Sequence, residues 1–350
     1  MSIIRLGIAE FLELAKHNPV FDVRSPSEYA HAHIPGAYSL PIFTDEQRAE
    51  IGTMYKQEST SKAIKIGLGH FGPKLNDYIS NVEKIVSVTS SKKVLVHCWR
   101  GGMRSGAMAW LLDFFGFEVL LLDGGYKAYR NYVLQQFTLP LEFQRLGGPT
   151  GSGKTEILLE LKNQGLAVID LEGLASHKGS SFGALGMDEQ PSQEQFENNL
   201  HAELSKYFSV NDKNELLQER KIWVENESQR IGLVNIPKAL YQNLEKSTLI
   251  NIDIPFEERL AFITQYYGKF SQDKLIAGVV RIQKKLGGLE TKNAINFLLE
   301  NNIEDSFKIL LNYYDRQYLL ASNRTEKSTQ TISLDKINAQ QNAEILLKSI

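Results

Sequence analysis

The one cysteine in this 350-residue chain, Cys98, ends an apolar run and opens the loop HCWRGGMRS. A thiol placed there, before a glycine-rich turn into a helix, meets backbone N–H groups and the positive end of that helix. Such surroundings favour the thiolate, which is the nucleophilic form. Gly101 and Gly102 let the backbone curl its N–H groups inward, and Arg100 and Arg104 add fixed cations suited to an oxyanion. Cys98, Arg100 and Arg104 are therefore the expected catalytic residues. The plainer alternative is a buried packing cysteine, and the arginines and glycines count against it.

Further along, GPTGSGKT (148–155) fits the pattern G-x-x-x-x-G-K-[ST] between a predicted strand and a predicted helix. Gly148, Thr150, Gly151, Ser152 and Gly153 would wrap a diphosphate in backbone N–H groups. Lys154 would add a point charge, and Thr155 could reach Mg²⁺. No tightly bound cofactor is expected, and Mg²⁺ on Thr155 is the one metal the motif admits. Glu225 and Glu227, at the end of KIWVENES, either orient a metal-bound water or form a solvated strand end. The loop DLEGLASHKGSSFG (170–183) gathers Asp170, Glu172, His177, Lys178, Ser180 and Ser181, and reads as a second anion-binding wall.

The elements that must hold these loops show in the hydrophobic pattern. Apolar runs at 20–24, 93–98 and 117–125 alternate with helical stretches up to about residue 138. The alternation restarts at 142 with FQRLGG, AVIDLE, KIWVENE, STLINIDI and QTISLD. Buried runs separated by helices predict parallel sheets, so the expected fold class is α/β in two domains, 1–138 and 142–350. Residues 256 to about 322 read as helical throughout. Most of their tyrosines are expected to pack helices, and only Arg281, Lys284 and Lys285 are singled out as RNA contacts. With 39 basic and 41 acidic residues, any polyanion must meet a local patch. One cysteine excludes an internal disulfide framework and suits a reducing cytoplasm; no apolar run has membrane-spanning length.

FDVRSPSEYAHAHIPGAYSLP (21–41) resembles the rhodanese opening, with Asp22, Arg24, Glu28, His33, Pro35 and Gly36 in its pattern. LLLDGGYKAYR (120–130) resembles the rhodanese closing motif. That resemblance implies a chalcogen carried on Cys98 as a persulfide or its selenium equivalent. Five residues separate Cys98 from Arg104, a longer cradle than the usual sulfurtransferase loop and similar to that of cell-cycle dual-specificity phosphatases. A stand-alone sulfurtransferase, or a Cys-dependent phosphatase with a regulatory P-loop nucleotide-binding domain, is thus the alternative reading.

Taken in order, HCWRGGMRS, GGPTGSGKT, DLEGLASHKGSSFG and WVENESQRIG look like the tRNA 2-selenouridine synthase family, over nearly the whole chain. The resemblance implies a rhodanese-like domain, then a P-loop NTPase-like domain with a helical C-terminal part. It also implies a transferase that replaces sulfur by selenium at the wobble 2-thiouridine (position 34) of tRNA. In that family geranyl diphosphate first alkylates the thiouridine sulfur. Selenophosphate, supplied by its synthase, then delivers selenium and displaces the geranylthio group. An S-selanyl intermediate on Cys98 would discharge to the RNA or to an external thiol.

Overall fold

Short apolar strands alternate with helices in both halves of the chain, and each half closes its own five-stranded sheet. The structure, a computed structural model, describes residues 3–89, 92–210, 215–322 and 329–349. It divides into two units: Met1–Phe137 with Glu197–His201, and Thr138–Phe196 with Ala202–Ile350. The short excursion at 197–201 has no counterpart in a linear boundary drawn from composition. It belongs with the first unit because Asn198 Nδ2 donates to the Tyr126 hydroxyl at 2.8 Å and Arg130 pairs with Glu197.

In the first unit the strands are β1 (Ile4–Leu6), β2 (Val20–Asp22), β3 (Tyr38–Ser39), β4 (Lys93–His97) and β5 (Glu118–Leu122). They run in the order β1-β5-β4-β2-β3 and pair in parallel throughout. Phe21, Val94, Val96 and Leu121 from the sheet pack on Met108 and Leu112 of the helix Met103–Phe115. The rhodanese-like residues at its centre are structural pillars. Asp22 and Arg24 form a fully buried ion pair at 2.6 Å, and the Arg24 guanidinium lies 3.8 Å over the Tyr126 ring. Burial alone would raise the Asp22 carboxyl, but His97 and Arg24 beside it hold it below its ordinary value.

The second unit has β6 (Phe143–Gly147), β7 (Val168–Ile169), β8 (Ile222–Glu225), β9 (Thr248–Asp253) and β10 (Thr329–Ser333), in the order β10-β9-β6-β8-β7. All four pairings are parallel. Helices Lys154–Asn163 and Ala339–Lys348 pack on the sheet core of Leu146, Val168, Ile250 and Ile332. Four helices, Phe256–Tyr267, Gln272–Leu286, Gly288–Leu299 and Ile303–Ser322, share a separate core around Leu260, Phe307 and Leu311. Register sets up the chemistry: β8 ends with Glu225 level with Leu146 of β6, one residue before β6 enters the phosphate-type loop. Loops leaving adjacent parallel strands at their carboxyl ends converge on one crevice. No helix among the described residues is long and apolar enough to cross a membrane.

Candidate active sites

The thiol loop is built against the segment that closes the rhodanese-like half. Tyr126 and Lys127 donate their backbone N–H groups to the carbonyls of Cys98 and Trp99 at 2.8 and 3.0 Å. Only glycine allows this approach at position 125, where a Cβ would lie 2.4 Å from the Cys98 carbonyl oxygen. Cys98 is 3% exposed, at the floor of a cleft of about 740 Å³ whose opposite lip is the helix Asp45–Gln57. Its Sγ lies 3.2 Å from Ser105 Oγ, on the first turn of the helix that follows the loop. Burial pushes the thiol up. Hydrogen bonds from the Ser105 hydroxyl and from the backbones of Ser105 and Arg100, with the Arg104 charge, outweigh it and hold the thiol below its ordinary value.

Arg104 has a second duty that depends on a distant residue. It makes two hydrogen bonds to Glu28, at 2.5 and 3.3 Å, and Arg48 lies 3.8 Å from the same carboxylate. Against burial, those arginines keep Glu28 below the usual carboxylate range. Arg104 still lines the cleft beside Arg100, with Glu28 answering its charge. Ser105 has no place among the expected site residues, although a hydroxyl in the first turn after a thiol loop is the signal for it. Ser105→Ala is expected to raise the thiol pKa by about one to two units, since hydrogen bonds to charged groups contribute ~1.5–3 kcal/mol. The pH profile of iodoacetamide alkylation reads this directly, and an unmoved midpoint would show that Ser105 does not act on the sulfur.

In the second unit the phosphate-type loop lies between β6 and its helix, as its mechanism requires. Gly151 and Gly153 adopt φ of +78° and +71°, which turn the loop's N–H groups toward a common centre at low steric cost. Lys154 Nζ spans the loop and donates to the Gly148 carbonyl at 3.2 Å. Thr155 donates its hydroxyl to Glu225 Oε1 at 2.6 Å. Glu225 is 2% exposed, which removes the solvated-strand-end reading for that residue. Carboxylate oxygens of Glu172, Glu225 and Glu227 lie within 4.8 Å of one another. Burial and their mutual repulsion raise Glu172 and Glu225 well above the ordinary range; burial raises Glu227. With the Thr155 hydroxyl this is an all-oxygen donor set of the kind that suits Mg²⁺.

The 170–183 loop splits in two. Glu172, Lys178 and Ser180 line the same cleft of about 290 Å³ as the phosphate-type loop, Glu225 and Glu227. The others shape the loop instead. Asp170 caps the helix Leu171–Leu174 by accepting from Gly173 N at 2.7 Å. Ser181 bonds the Tyr314 hydroxyl at 2.6 Å, and the His177 ring packs where a Cβ on Gly183 would fall. Arg281 donates to the Ser181 carbonyl at 3.0 Å, bracing this loop, while Lys284 and Lys285 are exposed. The tyrosines, most of which are expected to pack helices, depart further from expectation. Phe262, Tyr266, Tyr267, Tyr314 and Tyr318 form the wall facing the phosphate-type loop, and Lys178 Nζ sits 4.0 Å over the Tyr266 ring. Helical spacing hides them, because residues three to four apart on a helix read equally as core.

A family model for "tRNA 2-selenouridine synthase AAA domain" matches residues 141–344, and one for "Rhodanese-like domain" matches residues 8–132. The chain is 35% identical to a tRNA 2-selenouridine synthase of Bdellovibrio bacteriovorus, over 86% of this chain and 88% of that one. It is 30% identical to one of Sulfurovum sp. strain NBC37-1, over 89% and 90%. A relative from Hydrogenovibrio crunogenus is 33% identical over 78% and 77%. The two loops, their order and the extent of these matches agree: the chain belongs to the tRNA 2-selenouridine synthase family.

Proposed function

We propose that this protein converts wobble 2-thiouridine in tRNA to 2-selenouridine in two steps, one at each loop. In the first, the thiouridine sulfur attacks C1 of geranyl diphosphate, the C–O bond breaks, and diphosphate leaves with the bonding pair. The observation that carries this reading is the make-up of the second-unit cleft. A diphosphate cradle faces a wall of Phe262, Tyr266, Tyr267 and Ile263, which suits a substrate with an anionic head and a hydrocarbon tail. Lys154 and the loop amides stabilise charge that grows on the diphosphate as it departs. Lys178, held over Tyr266, adds a second cation on the opposite wall. Glu172, Glu225, Glu227 and Thr155 would hold Mg²⁺, which would neutralise part of the diphosphate charge.

In the second step selenium from selenophosphate replaces the geranylthio group at C2 of the ring. Selenium in selenophosphate is already at the selenide level, so an S–Se bond on Cys98 would require an oxidant that a one-cysteine chain does not supply. Substitution needs none. The Cys98 thiolate adds at C2 and geranylthiolate leaves; selenium then displaces the Cys98 sulfur, and water cleaves the Se–P bond to release phosphate. Arg100, Arg104 and the loop amides bind the oxyanion of selenophosphate. Nucleoside analysis tests the scheme. With geranyl diphosphate alone, thiolated tRNA should gain the geranylated base; adding selenophosphate should give the selenated base. Consumption of ATP with no dependence on geranyl diphosphate would replace this reading with a kinase.

A further inference from the structure

The cleft above Cys98 is more than an entrance to the thiol. Its described lining contains Arg48, Lys56, Arg100 and Arg104 and no acidic residue. Glu28 already answers Arg104 and lies near Arg48, while Arg100 and Lys56 have no ion-pair partner among the described residues. Two aromatic side chains open onto the same space, Trp99 at 38% exposed and Tyr55 at 51%. Trp99 is pre-set, because its ring leans on the buried Tyr126 with centroids 5.8 Å apart. The opposite lip is fixed as well. Thr44 and Gln47 cap the helix Asp45–Gln57 reciprocally, and Asp45 accepts from the Ser27 hydroxyl at 2.6 Å.

We infer that this cleft is the docking site for the unpaired nucleotide on which Cys98 acts. Its base stacks against Trp99, and its flanking phosphates are held by Lys56 and Arg48. Fixed aromatic faces interleaved with unmatched cations are the surface that single-stranded RNA selects, because every base offers a π-face and every linkage a charge. At about 740 Å³ the space admits a nucleotide, and a Sγ at its floor is reached only by a base turned out of its stack. The RNA contact that matters for the thiol therefore lies on the helix Asp45–Gln57 and the Cys98 loop, and not on the 281–285 cluster. The inference rests on the selenium step proposed above.

Its test measures binding, so it can fail separately from that step. The full-length protein is titrated with a fluorescent anticodon stem-loop RNA containing 2-thiouridine, over a series of salt concentrations. Trp99→Ala is expected to weaken binding about tenfold or more. Arg48→Ala combined with Lys56→Ala should lower the slope of log affinity against log salt by about 0.7 for each phosphate no longer neutralised. Both variants should keep the wild-type far-ultraviolet circular dichroism spectrum, showing an intact fold. Crosslinks from RNA carrying a photoreactive thiouridine at the wobble position should map to residues 43–57 or 98–104. Wild-type affinity and salt slope in both variants, or crosslinks wholly elsewhere, would overturn the inference even if selenation proceeds. Turnover of p-nitrophenyl phosphate without RNA binding would overturn it in favour of a phosphoprotein partner. If the wild type binds as described yet never selenates, the docking site stands and the proposed chemistry falls.

Discussion

Lys154→Ala is expected to slow geranylation of thiolated tRNA by about 10²–10³-fold, the range seen when one preorganised donor to developing negative charge is removed. The loss should fall mainly on kcat, because the oxygen that bridges carbon and phosphorus takes on a further negative charge as the C–O bond breaks. The loop amides and Lys178 remain to hold the ground state. A second consequence follows from the neighbours. Lys154 is the cation that opposes the rise of the Glu172, Glu225 and Glu227 carboxyls. Without it those groups shift further upward, and a divalent cation must displace protons from them at higher pH. The Mg²⁺ optimum of the variant should therefore move to higher concentration at neutral pH and recover partly as pH rises. Geranylation kinetics by nucleoside mass spectrometry, across pH and Mg²⁺, would show both effects. An unchanged rate would remove the phosphate-type loop from alkyl transfer.

How legible these sites are in the sequence varies with how local their causes are. The strands β4 and β6 and the loops that follow them can be read directly, because an apolar run, a glycine turn and a helix start follow one another closely in each. Glycines of the phosphate-type pattern also mark themselves, as at Gly151 and Gly153, whereas the close approach that requires glycine at 125 shows only in the structure. What stays hidden depends on pairing across long separations. Arg104 meets Glu28 across 76 residues, and Thr155 meets Glu225 across 70. The tyrosine wall is hidden for a different reason. Tyr266 and Tyr267 are adjacent on one helix, edge to face with centroids 5.0 Å apart, and serve packing and cleft at once. Tyr267 stacks on Phe307 at 5.5 Å in the helical core while also lining the cleft, so packing is only half of its role. Polar loops mislead in the opposite sense: Asp170 and Ser181 have the residue types of a binding wall, and a local helix cap takes up the first while a hydrogen bond to the distant Tyr314 takes up the second.

Cys98→Ala should abolish 2-selenouridine formation while leaving geranylation near the wild-type rate, so that the S-geranyl nucleoside accumulates. The fold gives little reason to expect collateral damage. What the loop needs from residue 98 is its backbone: the carbonyl that accepts from Tyr126 N at 2.8 Å, which alanine keeps. The side chain packs in the core and its sulfur meets the Ser105 hydroxyl and the backbones of Ser105 and Arg100; the Ser105 hydroxyl retains an acceptor in the Gly102 carbonyl at 3.2 Å. The small cavity left should cost only about 1 kcal/mol, too little to unfold the domain. Cys98→Ser keeps the size and a hydrogen bond but replaces a lowered thiol with an alcohol that does not ionise near neutrality. It should therefore be as inactive as alanine, which separates nucleophilicity from packing. Selenation that survives in both variants would mean selenium reaches C2 without the sulfur, leaving the loop as an oxyanion cradle and its single thiol a bystander. Loss of geranylation together with selenation would instead show that the first step also depends on the thiol.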